Sequence, residues 1–174
     1  AATAVANKAS AALYAGFEEL QVKNGVSQDV SAFTGSAITK LVLDGATAGV
    51  TNVSAAQAAN VQVVSSGAYT VGVTGATTVG QLDTVHITAD DGVAGVATGP
   101  IALTAPVLTG VETLQLTAND NVTVSALTAA TALTSIKLDG AASIGLTTGV
   151  VDLAANSAID ASAATGAVTI NAAA

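Results

Sequence analysis

A six-residue pattern decides the fold: it reads VHITAD at residues 85–90 and LQLTAN at residues 114–119. VDLAAN at residues 151–156 follows the same template, in which two apolar residues flank a polar one, and a small residue, an alanine and then Asp or Asn follow. The alternation predicts a short strand with one buried face. The closing Asp or Asn predicts a corner, because these residues tolerate left-handed backbone and hydrogen-bond their own turn.

A second pattern, LVLDGA at residues 41–46, recurs as IKLDGA at residues 136–141. Other alternating segments surround these two, at irregular intervals of about 15 to 29 residues, which is the length range of one solenoid coil. The strands that we predict begin at residues 41, 61, 85, 114, 136, 151 and 168, and each has an apolar-x-apolar centre.

The composition favours a thin core between two facing sheets over the thicker core of a round globule. Apolar residues make up 51% of the chain, yet its only aromatic side chains are Tyr14, Phe17, Phe33 and Tyr69. Val, Ile, Leu and Ala must therefore fill the interior, and such side chains suit two sheets that face each other at about 10 Å. We predict a mainly β protein, an irregular β-solenoid with a two-sheet β-sandwich as the alternative, whose β-repeat domain covers residues 38–174.

The first 25 residues have a different pattern. Leu13, Phe17 and Leu20 recur at helical spacing, Glu19 precedes Lys23 by four positions, and Asn-Gly follows at residues 24–25 as a stop signal. These features predict an N-terminal α-helix over residues 1–23. We expect this N-terminal unit, residues 1–25, to serve as a cap on the β region or as an assembly arm that docks on a neighbour.

Charge is sparse and one-sided, which excludes one class of partner. Twelve acidic residues stand against four lysines and no arginine, so the formal net charge is −8. Nucleic acid is a poor partner, because phosphate binding needs clustered Lys and Arg. Cysteine is absent, which excludes disulfides, and no continuous apolar run predicts a transmembrane segment. Methionine is absent throughout, so we expect a processed chain or a piece of a longer one.

Two further segments carry a resemblance. GVETLQLTA at residues 110–118 and IDASA at residues 159–163, in a chain dominated by Ala, Thr, Val and Gly, resemble the β-solenoid parts of bacterial surface-layer (S-layer) proteins and large repeat adhesins. The resemblance implies a secreted, extracellular protein at the cell surface that assembles with copies of itself, in some cases with calcium or with cell-surface polysaccharide. The family's glycine-rich calcium-binding nonapeptides are absent, and the chain contains no Gly-Gly pair.

Signatures of catalysis are missing, so we expect no enzyme, no catalytic residue and no bound organic cofactor. His86 is the single histidine, and its neighbours in an alternating strand place it on the outward face. The sequence contains no Gly-x-Ser-x-Gly elbow, no His-Glu-x-x-His and no phosphate loop. A β-helix enzyme acting on acidic polysaccharide is the weakest hypothesis, because Arg and Trp are both absent.

One set of polar residues is a candidate metal site. Asp90 and Asp91 follow one template strand, and Asn119 and Asp120 follow another, so stacked coils would bring them together. Calcium takes six to eight oxygen ligands from carboxylates, amides and carbonyls. The alternative for the same four residues is turn chemistry without a metal.

Three functional hypotheses follow. The first is a structural subunit of a self-assembling extracellular surface layer or filament, whose partners are copies of itself. The second is a binding or spacer module of a secreted bacterial adhesin. The third is the polysaccharide-acting enzyme. An ice-binding solenoid is disfavoured, because the chain has no Thr-x-Thr motif.

Overall fold

The chain forms a parallel β-solenoid. The computed structural model describes residues 13–93, 99–127, 131–148 and 157–172. Strands are numbered in chain order, and the odd-numbered ones form a seven-stranded parallel sheet whose members lie in sequence order: β1 Glu19–Lys23, β3 Lys40–Asp44, β5 Val61–Val63, β7 Thr84–Ala89, β9 Thr113–Ala118, β11 Ser135–Gly140 and β13 Ala158–Ala164.

The even-numbered strands form the opposite side in two parts. A three-stranded sheet contains β2 Val26–Asp29, β4 Thr47–Val53 and β6 Ala68–Val73, and a four-stranded sheet contains β8 Ile101–Thr104, β10 Val122–Ser125, β12 Ile144–Thr148 and β14 Val168–Ala172. Each coil therefore consists of one odd and one even strand. A 3-10 helix, Val30–Ala32, and a short α-helix, Ala55–Ala58, lie between strands. Neither is long enough to cross a membrane, and the described residues contain no other helix.

Parallel pairing confirms the predicted β-solenoid and decides against the β-sandwich alternative. The template strands lie next to one another in register, so Val85 pairs with Leu114, and Leu114 pairs with Ile136. All three side chains point into the core and are at most 2% exposed. The Asp-Gly corners also match each other, since Gly45 has φ +103° and Gly140 has φ +110°, which is backbone that favours glycine.

The predicted N-terminal helix is wrong over the residues that the structure describes, because residues 19–23 form strand β1. Leu20 and Val22 point into the core while Gln21 is exposed, and β3 supplies the parallel partner. Lys23 forms an ion pair with Asp44 at 2.8 Å, and Glu19 with Lys40 at 2.9 Å, so both charges pair across strands instead of along a helix. Residues 1–12 of the prediction lie outside the described residues, as does the template at residues 151–156.

The C-terminal coil differs from the coils inside the stack. In β11 and β12 the inward side chains Ile136, Ile144 and Leu146 are at most 1% exposed. Their register partners in the last coil are more exposed: Ile159 and Val168 are half-buried, and Ile170 is 44% exposed. The core is therefore partly open on this side.

Candidate functional site

The four residues of the candidate metal site lie together at one corner of the solenoid. Asp90 and Asp91 follow β7, and Asn119 and Asp120 follow β9. The two corners stack because the backbone N–H groups of Asn119 and Asp120 both donate to the carbonyl oxygen of Ala89, at 3.1 and 3.0 Å. One carboxylate oxygen from each of Asp90, Asp91 and Asp120 lies within 4.8 Å of the others.

Hydrogen bonds within the corner use several of these oxygens. Asp90 accepts from the Gly92 backbone at 2.8 Å and from the Asn119 side-chain amide at 2.9 Å. Asp120 accepts from the backbone N–H of Asp91 at 2.7 Å, and Asp91 accepts from that of Val93 at 2.8 Å. The side-chain hydrogen bond from Asn119, followed by the backbone bond from Gly92, lowers the pKa of Asp90 below its ordinary value. Asp90 thus stays ionised as part of the turn.

The corner matches a hard cation in charge and in ligand type. Three half-buried carboxylates close together supply part of the six to eight oxygens that calcium takes, and the half-exposed position lets water supply others. The backbone N–H donors also stabilise the same carboxylates without a cation. The predicted convergence of these residues is confirmed, whereas a metal-binding role stays a prediction.

His86 lies on the outward side of β7, opposite to the buried Val85 and Ile87. Its Nε2 atom lies 2.7 Å from the hydroxyl oxygen of Thr117 on the neighbouring strand. No carboxylate contacts the imidazole among the hydrogen bonds and ion pairs of the described residues. The observed contact is a cross-strand polar pair, a common element of sheet stabilisation.

A second acidic pair, Asp83 and Glu112, lies at the corners that precede β7 and β9. The Asp83 backbone N–H donates to the Glu112 carboxylate at 2.7 Å, and the Asp83 carbonyl accepts from the Glu112 and Thr113 backbones at 3.2 and 3.0 Å. Asp83 is only 9% exposed, and its Oδ2 atom has no hydrogen-bond partner in the described part of the chain. Sequence reasoning did not single out this pair. The shared signal was an acid followed by threonine before the templates at residues 85 and 114.

Charged residues are unevenly distributed over the strands. The outer surface of the seven-stranded sheet contains the ion pairs of β1 and β3, together with Lys137 and Asp160. By contrast, the sequences of β8, β10, β12 and β14 contain no charged residue.

The fold defines the chain as a parallel β-solenoid protein. No family model matches it, and the comparisons with curated proteins and with solved structures find no match.

Proposed function

We propose that the chain is a structural unit of an extracellular surface layer or filament and that its principal partners are copies of itself. The carrying observation is the open C-terminal coil, in which Ile159, Val168 and Ile170 are partly exposed while their register partners inside the stack are covered. The outer edges of β13 and β14 also end their sheets. Unpaired strand edges are templates for pairing with another chain.

An end-to-end contact between two copies supplies the missing cover. At the other end of the stack, β1 ends the seven-stranded sheet and β2 ends the three-stranded sheet, and both pair in parallel with their neighbours. Adding β1 of one copy to β13 of another continues the seven-stranded sheet. Because the two surfaces in this contact are different, repeated addition gives an open filament.

Charged residues at the two ends of the seven-stranded sheet oppose this contact. Glu19 pairs with Lys40 at one end of the sheet, and Asp160 is the register partner of Lys137 at the other. In-register addition places Glu19 of one copy next to Asp160 of the next, and like charges directly opposite each other on a sheet are destabilising. We expect end-to-end association to strengthen as salt rises and in the variant Asp160→Asn.

The test is sedimentation velocity over a range of protein concentrations, with negative-stain microscopy of the concentrated samples. We expect end-to-end association in the unmodified protein and its loss in Ile170→Lys, which places a charge on the open coil. Leu82→Lys is the matched control, since Leu82 is 85% exposed on a loop. A protein that stays monomeric at every concentration and salt level contradicts the proposal.

The adhesin spacer is the second candidate, and the same open coil favours it. A solenoid that continues into further coils of a longer chain also covers Ile159 and Ile170. In that case, adding the following residues of the parent gene produces a monomer with a protected last coil. In the filament, the longer chain still associates.

We also propose that the carboxylates of Asp90, Asp91 and Asp120 form a calcium-binding corner. Asn119 is their hydrogen-bonding neighbour. Calorimetry with calcium alone tests it, with Asp120→Asn as the comparison. Heat of binding that disappears in this variant supports the site, and absence of heat at millimolar calcium removes it.

A further inference from the structure

Asp83 is the only acidic or basic residue that is buried among the residues that the structure describes. Burial alternates along the chain at this point, since Asp83 is 9% exposed, Thr84 is exposed and Val85 is fully buried. The Asp83 side chain therefore points to the same side of the chain as the core residue Val85. Its Oδ2 atom is buried and has no hydrogen-bond partner within the described ranges.

Glu112 brings a second carboxylate to the same place. Thr84 pairs with Thr113 in the ladder between β7 and β9, so the residues that precede them occupy equivalent corners of neighbouring coils. The Glu112 carboxylate accepts a hydrogen bond from the Asp83 backbone N–H at 2.7 Å, which brings it close to the side chain of the same residue. Two carboxylates therefore lie next to each other, and one of them has a buried oxygen without a donor.

No positive side chain balances this acidic pair within the described part of the chain. The ion pairs found there join Lys23 to Asp44 and Lys40 to Glu19. Like charges at neighbouring strand positions destabilise a sheet, and a buried carboxylate without a partner costs free energy. A buried oxygen of this kind in a folded protein indicates a further partner, such as water or an ion. Water donates a hydrogen bond but leaves both negative charges in place, whereas a cation offsets them.

The ligands at this corner are suited to a divalent cation. The backbone carbonyl of Asp83 already accepts hydrogen bonds from the N–H groups of Glu112 and Thr113, at 3.2 and 3.0 Å. The carboxylate oxygens are therefore the remaining ligands of the pair. Calcium and magnesium both take oxygen ligands and complete their coordination with water, and two carboxylates balance their charge. Glu112 is half-buried, so water reaches this side of the corner.

We propose that Asp83 and Glu112 form a site for one divalent cation with oxygen ligands, which joins the coil of β7 to the coil of β9. The site is separate from the corner at Asp90, because seven steps of extended chain, about 23 Å, lie between Asp83 and Asp90. The inference goes beyond the proposed function, since this cation stabilises a single chain and does not depend on assembly.

Glu18 offers a matched control for this site. Its backbone carbonyl accepts from the N–H groups of Thr39 and Lys40 at 2.8 and 3.1 Å, which is the arrangement seen at Asp83. The Glu18 side chain is exposed, and the equivalent residue of the next coil is Thr39 instead of an acid. The substitution Glu18→Gln therefore removes the same charge from an equivalent corner that has no neighbouring carboxylate.

The experiment measures thermal unfolding of the full chain with a chelator and then with calcium or magnesium, each titrated alone. The parent protein and all variants carry Asp120→Asn, so that the other acidic corner does not contribute. With the chelator, Asp83→Asn should unfold at a higher temperature than the parent, because it removes a buried charge beside Glu112. With the cation, the midpoints of the parent and of Glu18→Gln should rise with concentration, whereas those of Asp83→Asn and Glu112→Gln should stay constant.

Three results would overturn the site. The first is a parent protein whose midpoint responds to neither cation at millimolar concentration. The second is an equal rise in the parent and in Asp83→Asn, which places the binding elsewhere. The third is a lower midpoint of Asp83→Asn with the chelator, which shows that the carboxylate stabilises the fold without a cation. A response to only one of the two cations that both substitutions abolish supports the site and identifies its ion.

Discussion

The coil of β11 and β12 and the coil of β13 and β14 are neighbours with the same architecture, yet they differ in how well their core is covered. Ile136 is fully buried and its register partner Ile159 is half-buried, while Leu146 is 1% exposed and its partner Ile170 is 44% exposed. Among the described residues, the inner coil has a coil on each side, whereas the coil of β13 and β14 has one on one side only. Burial in a solenoid is thus set by neighbours along the stack, as expected of repeat proteins.

The largest expected effect comes from removing matched core side chains in the two coils. Ile136→Ala should lower the free energy of unfolding by about 3 kcal/mol, because the surrounding coils cannot collapse into the cavity. Ile159→Ala should cost about 1 kcal/mol, since water already reaches that side chain. Urea unfolding followed by circular dichroism measures both. Equal losses of unfolding free energy in the two variants would contradict the difference in burial between the two coils.

A corner inside the stack should tolerate a methyl group less well than an open loop. A Cβ atom at Gly140 would collide with the Ala118 backbone of the coil below, whereas Gly80 has nothing within 4 Å. Both residues have positive φ. Gly80→Ala should therefore cost about 1 kcal/mol from backbone strain alone, and Gly140→Ala about 2 to 3 kcal/mol. The difference between their unfolding midpoints isolates the contact between coils.

Acid should weaken the inner corners more than the last coil. A hydrogen-bonded ion pair with Lys23 lowers the pKa of Asp44, so its contribution to stability is present above about pH 4 and is lost as pH falls through the folded-state pKa. The effect is at most about 1 kcal/mol because the pair is partly exposed. Asp44→Asn should flatten the pH dependence of the unfolding midpoint between pH 5 and 2.

The matched control for this titration is Asp160→Asn in the last coil. Hydrogen bonds from Ser162 lower the pKa of Asp160 as well, but this carboxylate lies on the outside of an exposed strand. We expect the variant to keep nearly the same pH dependence as the unmodified protein. If the pH dependence of the unfolding midpoint changes more in Asp160→Asn than in Asp44→Asn, the larger contribution of Asp44 is contradicted.

The smallest expected effect is a gain in stability. Ala126 follows β10 with φ 48°, a left-handed conformation that costs a non-glycine residue about 1 kcal/mol. Ala126→Gly should raise the free energy of unfolding by about 0.5 kcal/mol once the greater freedom of the unfolded chain is included. Ala161→Gly in the extended strand β13 should lower it instead, and thermal unfolding compares the two.

The sequence predicted most strands of the seven-stranded sheet and few strands of the opposite side. The template residues Val85, Leu114 and Ile136 became register partners, because alternation and Asp or Asn corners are local signals. Five of the predicted strands belong to the seven-stranded sheet, and the one at residue 168 is β14 of the four-stranded sheet. Strands such as TAGVTNV of β4 and IGLTT of β12 were missed, since Gly and Thr weaken the apolar alternation.

The N-terminal error and the missed acidic pair have a tertiary origin. The spacing of Leu13, Phe17 and Leu20 fits a helix, but pairing with β3 determines the observed strand, and no local propensity reports that partner. Likewise, Asp90 and Asp120 were foreseen as neighbours because both follow template strands. Asp83 and Glu112 precede such strands, and their shared signal, an acid followed by threonine, occurs before only two of the three template segments.

The direction of the hydrogen bonds between coils gives the solenoid unequal mechanical strength. Bonds such as those from Asn119 and Asp120 to Ala89 connect one coil to the next, so they run along the stack. A pull along this axis acts on the successive interfaces between coils in series. The coils therefore separate one after another from the open end. A pull along the strands loads the bonds of a ladder together in shear. A layer of such solenoids would be stiffest along its strands and would tear between coils.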